Sequence, residues 1–346
     1  MSETSINELK RQLKSGETGS FYILYGEEAY LKEHYLAQLR KSVLGADDDP
    51  FNLRRFDGRS ISADELAEAI DAFPSFAERC FVEVRDYDLF KAPADEAARL
   101  EEILSSVPDY CCLVFVYDLT EYKPDKRRKL YGVIKDRAAE VNVPTQEQGA
   151  LERWVEKHFE HYGKKISREN AKYLIFLCGE LMDTLNNEIT KVAFYSSGAE
   201  VTRADIDAAA SPTVDAVAYD LTSALSAKNF DGAAEVMSRL FRLSEEPIKL
   251  LALIGNQMRR LYYAYMIKNS GGGVGEIKTL LGLRSDYPAK MLSKNCSSFS
   301  GQWHRRMLRL CAETDLKLKS SAGDPQQLLT DLFLEMASGE RRENVR

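Results

Sequence analysis

Over roughly the first 145 residues, short apolar runs of strand length alternate with stretches of helical periodicity, and beyond that point the strand-length runs stop. The strand candidates are Phe21–Tyr25, Phe51–Phe56, Cys80–Val84, Cys111–Tyr117 and Ala139–Val143. Strands that return only after an intervening helix need crossover connections, so the expected product is a mainly parallel sheet with helices on its faces. One intervening helix is marked residue by residue. Ser62-Ala63-Asp64-Glu65 has the form of a capping box, Leu66, Ile70 and Phe73 make an i, i+4, i+7 stripe, and Pro74 stops the helix.

From about residue 146 to 211, apolar residues fall only at helical spacing: Trp154, Val155 and Phe159, then Tyr173, Leu174 and Leu177, then Leu181, Leu185 and Ile189. Longer amphipathic helices follow, including Ala216–Leu225, Pro247–Met266 and Trp303–Lys319. Ser270-Gly271-Gly272-Gly273 reads as a loop between helices, and Ser338–Arg346 as a polar, frayed tail. The expected organisation is an α/β domain over 1–145, a small helical domain over 146–211 closing near Ser211-Pro212, and a larger helical domain over 212–346.

A chain of 346 residues, 44% hydrophobic and 29% charged, has the composition of a soluble globular protein with room for two or three cores. No run approaches the roughly 20 apolar residues that cross a bilayer. Met1-Ser2-Glu3-Thr4 is polar and acidic, unlike a signal peptide, so a cytoplasmic location without membrane attachment is expected. Cys80, Cys111, Cys112, Cys178, Cys296 and Cys311 include no C-x-x-C pair and sit mostly in apolar runs, which reads as buried reduced thiols rather than a metal site. His34, His158, His161 and His304 have no metal or triad spacing, and surface positions are expected for them. A formal charge of −7 gives no general attraction for nucleic acid, so any such contact must come from a local patch.

The first strand candidate runs into Gly26, with Lys32 six residues later, which is the spacing of the G-x-x-x-x-G-K-[ST] phosphate loop. Two of its four defining positions differ. Leu31 stands where the second glycine would let backbone N–H groups approach phosphate, and Glu33 where a hydroxyl would hold magnesium. A carboxylate about 4 Å from a phosphate costs on the order of 4 kcal/mol at an effective dielectric near 20. The loop is degenerate, and no ATP, metal or other cofactor is expected on it.

The order of domains, with three segments in sequence, resembles the delta subunit of the bacterial DNA polymerase III clamp loader, a relative of AAA+ ATPases. The segments are Phe21-Tyr22-Ile23-Leu24-Tyr25-Gly26-Glu27-Glu28, Ala72-Phe73-Pro74-Ser75-Phe76-Ala77-Glu78-Arg79 and Glu246-Pro247-Ile248-Lys249-Leu250-Leu251. The resemblance implies an AAA+/P-loop-like α/β domain with two all-α domains behind it, and no intrinsic enzymatic activity within the polymerase holoenzyme. It implies further losses of ATP chemistry that the residues match. Val82-Glu83-Val84-Arg85-Asp86 puts an arginine at the end of the third strand, where ATP-binding relatives hold magnesium with acids. Gly179-Glu180-Leu181-Met182 has methionine where those relatives carry a γ-phosphate arginine, and both the Ser-Arg-Cys finger triplet and the four-cysteine zinc module are missing. Asp118, closing Leu113-Val114-Phe115-Val116-Tyr117, has the look of a magnesium ligand, but ending the fourth strand it reads as a structural residue at a turn.

By the same resemblance, Phe73, Pro74, Ser75 and Phe76 form the surface that enters the peptide pocket of the sliding clamp (the beta subunit). Pro74 biases Phe73 toward extended geometry, so the segment can protrude as a turn with two aromatic anchors. Periodicity alone makes Phe73 the last core residue of its helix and leaves only Phe76 exposed; the resemblance implies that both contact the clamp. Ser75 replaces the leucine usual in the family's aliphatic-aromatic pair. The remaining implied partners are the tau/gamma and delta-prime subunits, which would pack with the third domain in a helical collar, and primer-template DNA. Tyr287 with Lys290 and Lys294 offers an aromatic and two cations at helical spacing for DNA, and Lys126-Arg127-Arg128-Lys129 reads as a solvated helix face or a lining of the DNA path. Two other functions fit less of the chain. An active ATPase with an unorthodox loop, using Lys32 and Asp118, requires ATP binding by the isolated chain; a structural scaffold requires partner subunits but no clamp affinity.

Overall fold

In the computed structural model five strands form one parallel sheet in the order β2-β3-β4-β1-β5. The structure describes residues 6–45, 49–243, 246–320 and 323–338. The acidic start Met1–Thr4 and the tail beyond Ser338 lie outside them. The described chain separates into two compact units, residues 1–146 with Leu181–Asp183, and residues 147–180 with 184–346.

In the first unit the elements run α1 (Ile6–Ser15), β1 (Phe21–Tyr25), α2 (Ala29–Leu44), β2 (Leu53–Asp57), α3 (Ala63–Asp71), β3 (Cys80–Arg85), α4 (Ala94–Ser105), β4 (Cys111–Val116), α5 (Lys129–Arg137) and β5 (Ala139–Asn142). Each expected strand is present, β1 with the expected ends and the others with shifted ones. The largest shift is in β2, which starts at Leu53 because the Asp49 carboxylate accepts the N–H groups of Phe51 and Asn52 and folds those residues into a turn. Strand alternation then sorts the side chains. Phe21, Ile23, Val82, Val84, Leu113 and Phe115 face a core shared with α3, α4 and α5. Tyr22, Leu24, Phe81, Cys112, Val114 and Val116 face α1 and α2. Helices on both faces explain why β3 and β4 are buried along almost their whole length.

The α3 capping box forms as read from sequence, with Ser62 Oγ accepting from Glu65 N–H and the Glu65 carboxylate accepting from Ser62 N–H. Leu66 and Ile70 are buried, each contributing on the order of 1.5–3 kcal/mol. Phe73 is not the end of that stripe. The helix stops at Asp71, Ala72 turns to extended backbone, and Phe73 leaves the core with 77% of its surface exposed.

The second unit contains α6 (Gln148–His161), β6 (Lys165–Ile166), α7 (Arg168–Cys178), α8 (Met182–Tyr195, whose first two residues count with the first unit), β7 (Glu200–Val201) and α9 (Arg203–Ala209). It continues through α10 (Val214–Ser226), α11 (Phe230–Leu243), α12 (Pro247–Asn269), α13 (Val274–Leu280), α14 (Asp286–Asn295), α15 (Gly301–Lys319) and α16 (Pro325–Ser338). The all-helical expectation for 146–211 misses β6 and β7, which pair in parallel but are two residues each, too short to carry an alternation. Side-chain hydroxyls of Ser167, Thr202, Thr213, Ser285 and Ser300 cap helix starts. From Val217 onward α10, α12, α14, α15 and α16 share one apolar core, with Trp303 stacked on Phe299 at 3.9 Å. His304 is buried there rather than on the surface, its Nε2 3.2 Å from the Cys296 carbonyl. All six cysteines are buried and unpaired. No described helix is long and apolar enough to cross a membrane.

Candidate functional site

The C-terminal ends of β1 and β4 lie side by side where α2 and α5 depart to opposite faces of the sheet, the position at which open α/β sheets bind ligands. A shallow cleft of about 550 Å³ opens there, lined by Tyr25, Gly26, Tyr117, Asp118, Thr120 and Tyr122 among others. Gly26 has φ +116°, and a Cβ on it would lie 2.4 Å from the Val143 carbonyl oxygen, so the chain can pass β5 here only as glycine.

The degenerate loop lies at this crevice, and its charges are already in use. Lys32 is 3% exposed; its ammonium donates to the Tyr117 carbonyl and pairs with Asp118 at 2.9 Å. Glu33 turns to Arg85 at 2.7 Å, and Arg85 also reaches Glu83 at 2.7 Å and Asp118 at 2.9 Å. Arg40 of α2 meets Glu83 at 3.1 Å under the sheet. A phosphate seeking Lys32 would have to displace Asp118 and lie against Glu33. Leu31, at the second glycine position, packs at the edge of the α1/α2 core. At the start of α2, the buried Glu28 carboxylate accepts from Met182 N–H at 3.3 Å, and its other oxygen has no hydrogen-bond partner. Burial raises its carboxyl above the ordinary value. Methionine at position 182 thus supplies a backbone donor to a carboxylate, where the resemblance places an arginine for phosphate.

Asp86 carries a role that the sequence reading passed over. Its backbone has φ +58°, and its Oδ1 accepts from the N–H groups of Asp118, Leu119 and Thr120 at 2.8–3.0 Å, folding the chain after β4 over the end of β3. Asp118 is held between Lys32 and Arg85, a structural position.

The second site lies at the other end of the sheet strands, between α3 and β3. The chain from Ala72 to Arg79 is fixed at three points. Tyr110 Oη donates to the Asp71 carbonyl at its start, Asn52 grips Ser75 at its middle, and Arg79 donates to Thr18 and Gly19 at its end. Between these points Phe73 lies flat on Tyr110 at 4.9 Å with its outer face in solvent, and Phe76, at φ +55°, is fully exposed. Phe51, beside Asn52, is 69% exposed. A left-handed phenylalanine is uncommon outside glycine-like positions and is kept here by the surrounding hydrogen bonds.

Two family descriptions match this chain: "DNA polymerase III, delta subunit" over residues 22–143 and "DNA polymerase III delta subunit, C-terminal domain" over residues 215–336. The chain belongs to the DNA polymerase III delta subunit family. The DNA polymerase III subunit delta of Bacillus subtilis (strain 168) is 25% identical over 330 residues, covering 94% of both chains. The DNA clamp loader delta protein of Bacillus subtilis has the same fold, at a TM-score of 0.53 and 24% identity, with 96% of this chain and 99% of that one covered. A delta-family chain is a subunit, made to work in complex with other DNA polymerase III subunits.

The structure also places the residues of the other expected contacts. Tyr287 is packed against Phe176 at 4.8 Å and Tyr173 at 5.7 Å, and its hydroxyl accepts from Arg203, which itself covers the Tyr173 ring at 3.6 Å. The Tyr287 ring is half-buried within the second unit. Lys290 and Lys294 remain exposed one turn apart on α14. Of the 126–129 cluster only Lys129 is helical; Arg127 pairs with Asp125 and Arg128 donates to the Ala92 carbonyl, so the four do not form a helix face.

Proposed function

We propose that this chain binds the sliding clamp through the turn Phe73–Phe76 and acts by preferring the opened ring, with no ATP hydrolysis of its own. The observation that carries the reading is the turn itself: two phenyl groups held outward on a backbone pinned at both ends. Each phenyl, if fully buried in a partner pocket, contributes roughly 1.5–3 kcal/mol, and such anchors dominate interface energies. A protein of this kind needs only a difference in affinity between closed and open rings, without covalent chemistry.

Supporting the absence of hydrolysis, Lys32 and Glu33 are committed to Asp118 and Arg85. In the assembly, ATP would act on the tau/gamma subunits and these, with delta-prime, would pack against a helical collar domain over residues 212–346, the small helical domain 146–211 joining it to the α/β domain. Primer-template DNA would run past Lys290 and Lys294, a contact that needs no stacking by Tyr287.

The test is binding of the purified chain to its sliding clamp without nucleotide, by surface plasmon resonance. Phe76→Ala and Phe73→Ala are each expected to weaken binding at least about tenfold, about 1.4 kcal/mol, and Phe76→Ala to leave the melting temperature unchanged. No binding by the folded wild-type chain overturns the reading.

A further inference from the structure

The Asn52 side chain hydrogen-bonds the middle of the exposed turn, and both its amide oxygen and its amide nitrogen are engaged. Oδ1 accepts from Ser75 N–H at 2.6 Å; Nδ2 donates to the Ser75 carbonyl at 2.9 Å and to the Asp49 carboxylate at 2.8 Å. The reversed amide would set its oxygen against both a carbonyl and a carboxylate, so the partners fix its orientation. The residue is itself anchored. The residue is 2% exposed, its N–H donates to Asp49, and its carbonyl accepts from Phe81 N–H near the start of β3. A rigid sheet edge therefore holds both polar groups of one backbone residue lying between two exposed phenylalanines.

We infer that Asn52 is a positioning residue for partner binding, an assignment that rests on the clamp-binding reading above: it fixes the Ser75 backbone and so sets the direction in which Phe73 and Phe76 leave the surface. A turn released from this bracket spends part of its time in other conformations, and apparent affinity falls in proportion to the competent fraction. No other residue type supplies the same contacts at that volume. Aspartate retains the acceptor for Ser75 N–H, but when ionised lacks the donors and faces the Asp49 carboxylate.

The experiment measures clamp association and dissociation rates for wild type, Asn52→Ala, Asn52→Asp, Phe76→Ala and the double variant Asn52→Ala/Phe76→Ala, with the melting temperature of each. Asn52→Ala and Asn52→Asp are expected to bind about tenfold more weakly, chiefly through slower association. On the Phe76→Ala background the Asn52 effect is expected to shrink to about threefold, because one of the two phenyl groups that the asparagine aims is already gone. A merely structural role would give the same loss on both backgrounds, and that result overturns the inference. Binding by Asn52→Ala within twofold of wild type, while Phe76→Ala binds poorly, also overturns it and leaves the clamp-binding reading standing. Where Asn52→Ala does not fold, Asn52→Asp and its double variant with Phe76→Ala decide in the same way. Failure of the folded wild type to bind overturns both readings.

Discussion

In a working phosphate loop the lysine waits for a ligand, and replacing it removes nucleotide binding while leaving the empty protein largely unaffected. Lys32 here should behave in the opposite way. Lys32→Met keeps most of the apolar stem but removes the donor to the Tyr117 carbonyl and the partner of Asp118. A hydrogen bond from a charged group contributes about 1.5–3 kcal/mol, and an ion pair broken at a buried site costs about 3–5 kcal/mol when the remaining charge is left bare. Asp118 is not left bare, since it is partly exposed and keeps Arg85 at 2.9 Å, and the substitution also relieves the burial of an ammonium. The expected net loss is about 2–3 kcal/mol.

Amide hydrogen exchange on the full chain reads this directly, because residues in β1 and β4 exchange through opening of the first unit. Leu24 and Val116 are expected to exchange about 30- to 140-fold faster in Lys32→Met than in wild type, at about 1.4 kcal/mol per tenfold. Magnesium-ATP is expected to change neither protein. Exchange that rises less than about threefold would refute the reasoning, as would protection of wild-type β1 by magnesium-ATP, which would mean that the ammonium is available to phosphate after all.

Asp86→Ala leaves three backbone N–H groups without their acceptor at a left-handed position, an expected loss of about 3 kcal/mol in denaturant unfolding followed by far-UV circular dichroism. Asp86→Asn keeps an acceptor and tolerates the conformation, so it should lose less than half as much. Glu28→Gln is expected to stabilise the chain at pH 8: a carboxyl raised by burial takes up a proton on folding, so its penalty is full above the folded pKa and disappears below the unfolded one. The gain should therefore shrink as the pH falls through the carboxylate range, and a gain independent of pH would contradict it. Burial lowers the His304 imidazole, so the unfolded state binds its proton more readily and stability should fall as the pH drops below about 6.5. Trp154 and Trp303, the two tryptophans, both lie in the second unit, and thermal unfolding read by their fluorescence should show a shallower pH slope in His304→Gln.

What could be read from sequence, and what could not, divides along sequence separation. Strands β1, β3 and β4 are legible because burial on two faces leaves mostly apolar runs, and the α3 start because both halves of its capping box lie within four residues. Phe73 is the instructive error of periodicity: it falls in phase with Leu66 and Ile70, yet phase has meaning only while the helix continues, and Ala72 has already left it. Asn52 and Ser75, Arg40 and Glu83, and Lys32 and Asp118 are joined only by the fold, across separations of 23, 43 and 86 residues. None of these pairs has a local signal. Lys32 has one, the remnant of a phosphate loop, and the remnant misleads if its survival is taken as a sign of phosphate. A buried lysine needs an anion beside it, or its burial would be prohibitive. Asp118 is that anion, so Lys32 is accounted for by an ion pair inside the protein and Gly26 by its close approach to Val143, and neither needs a phosphate.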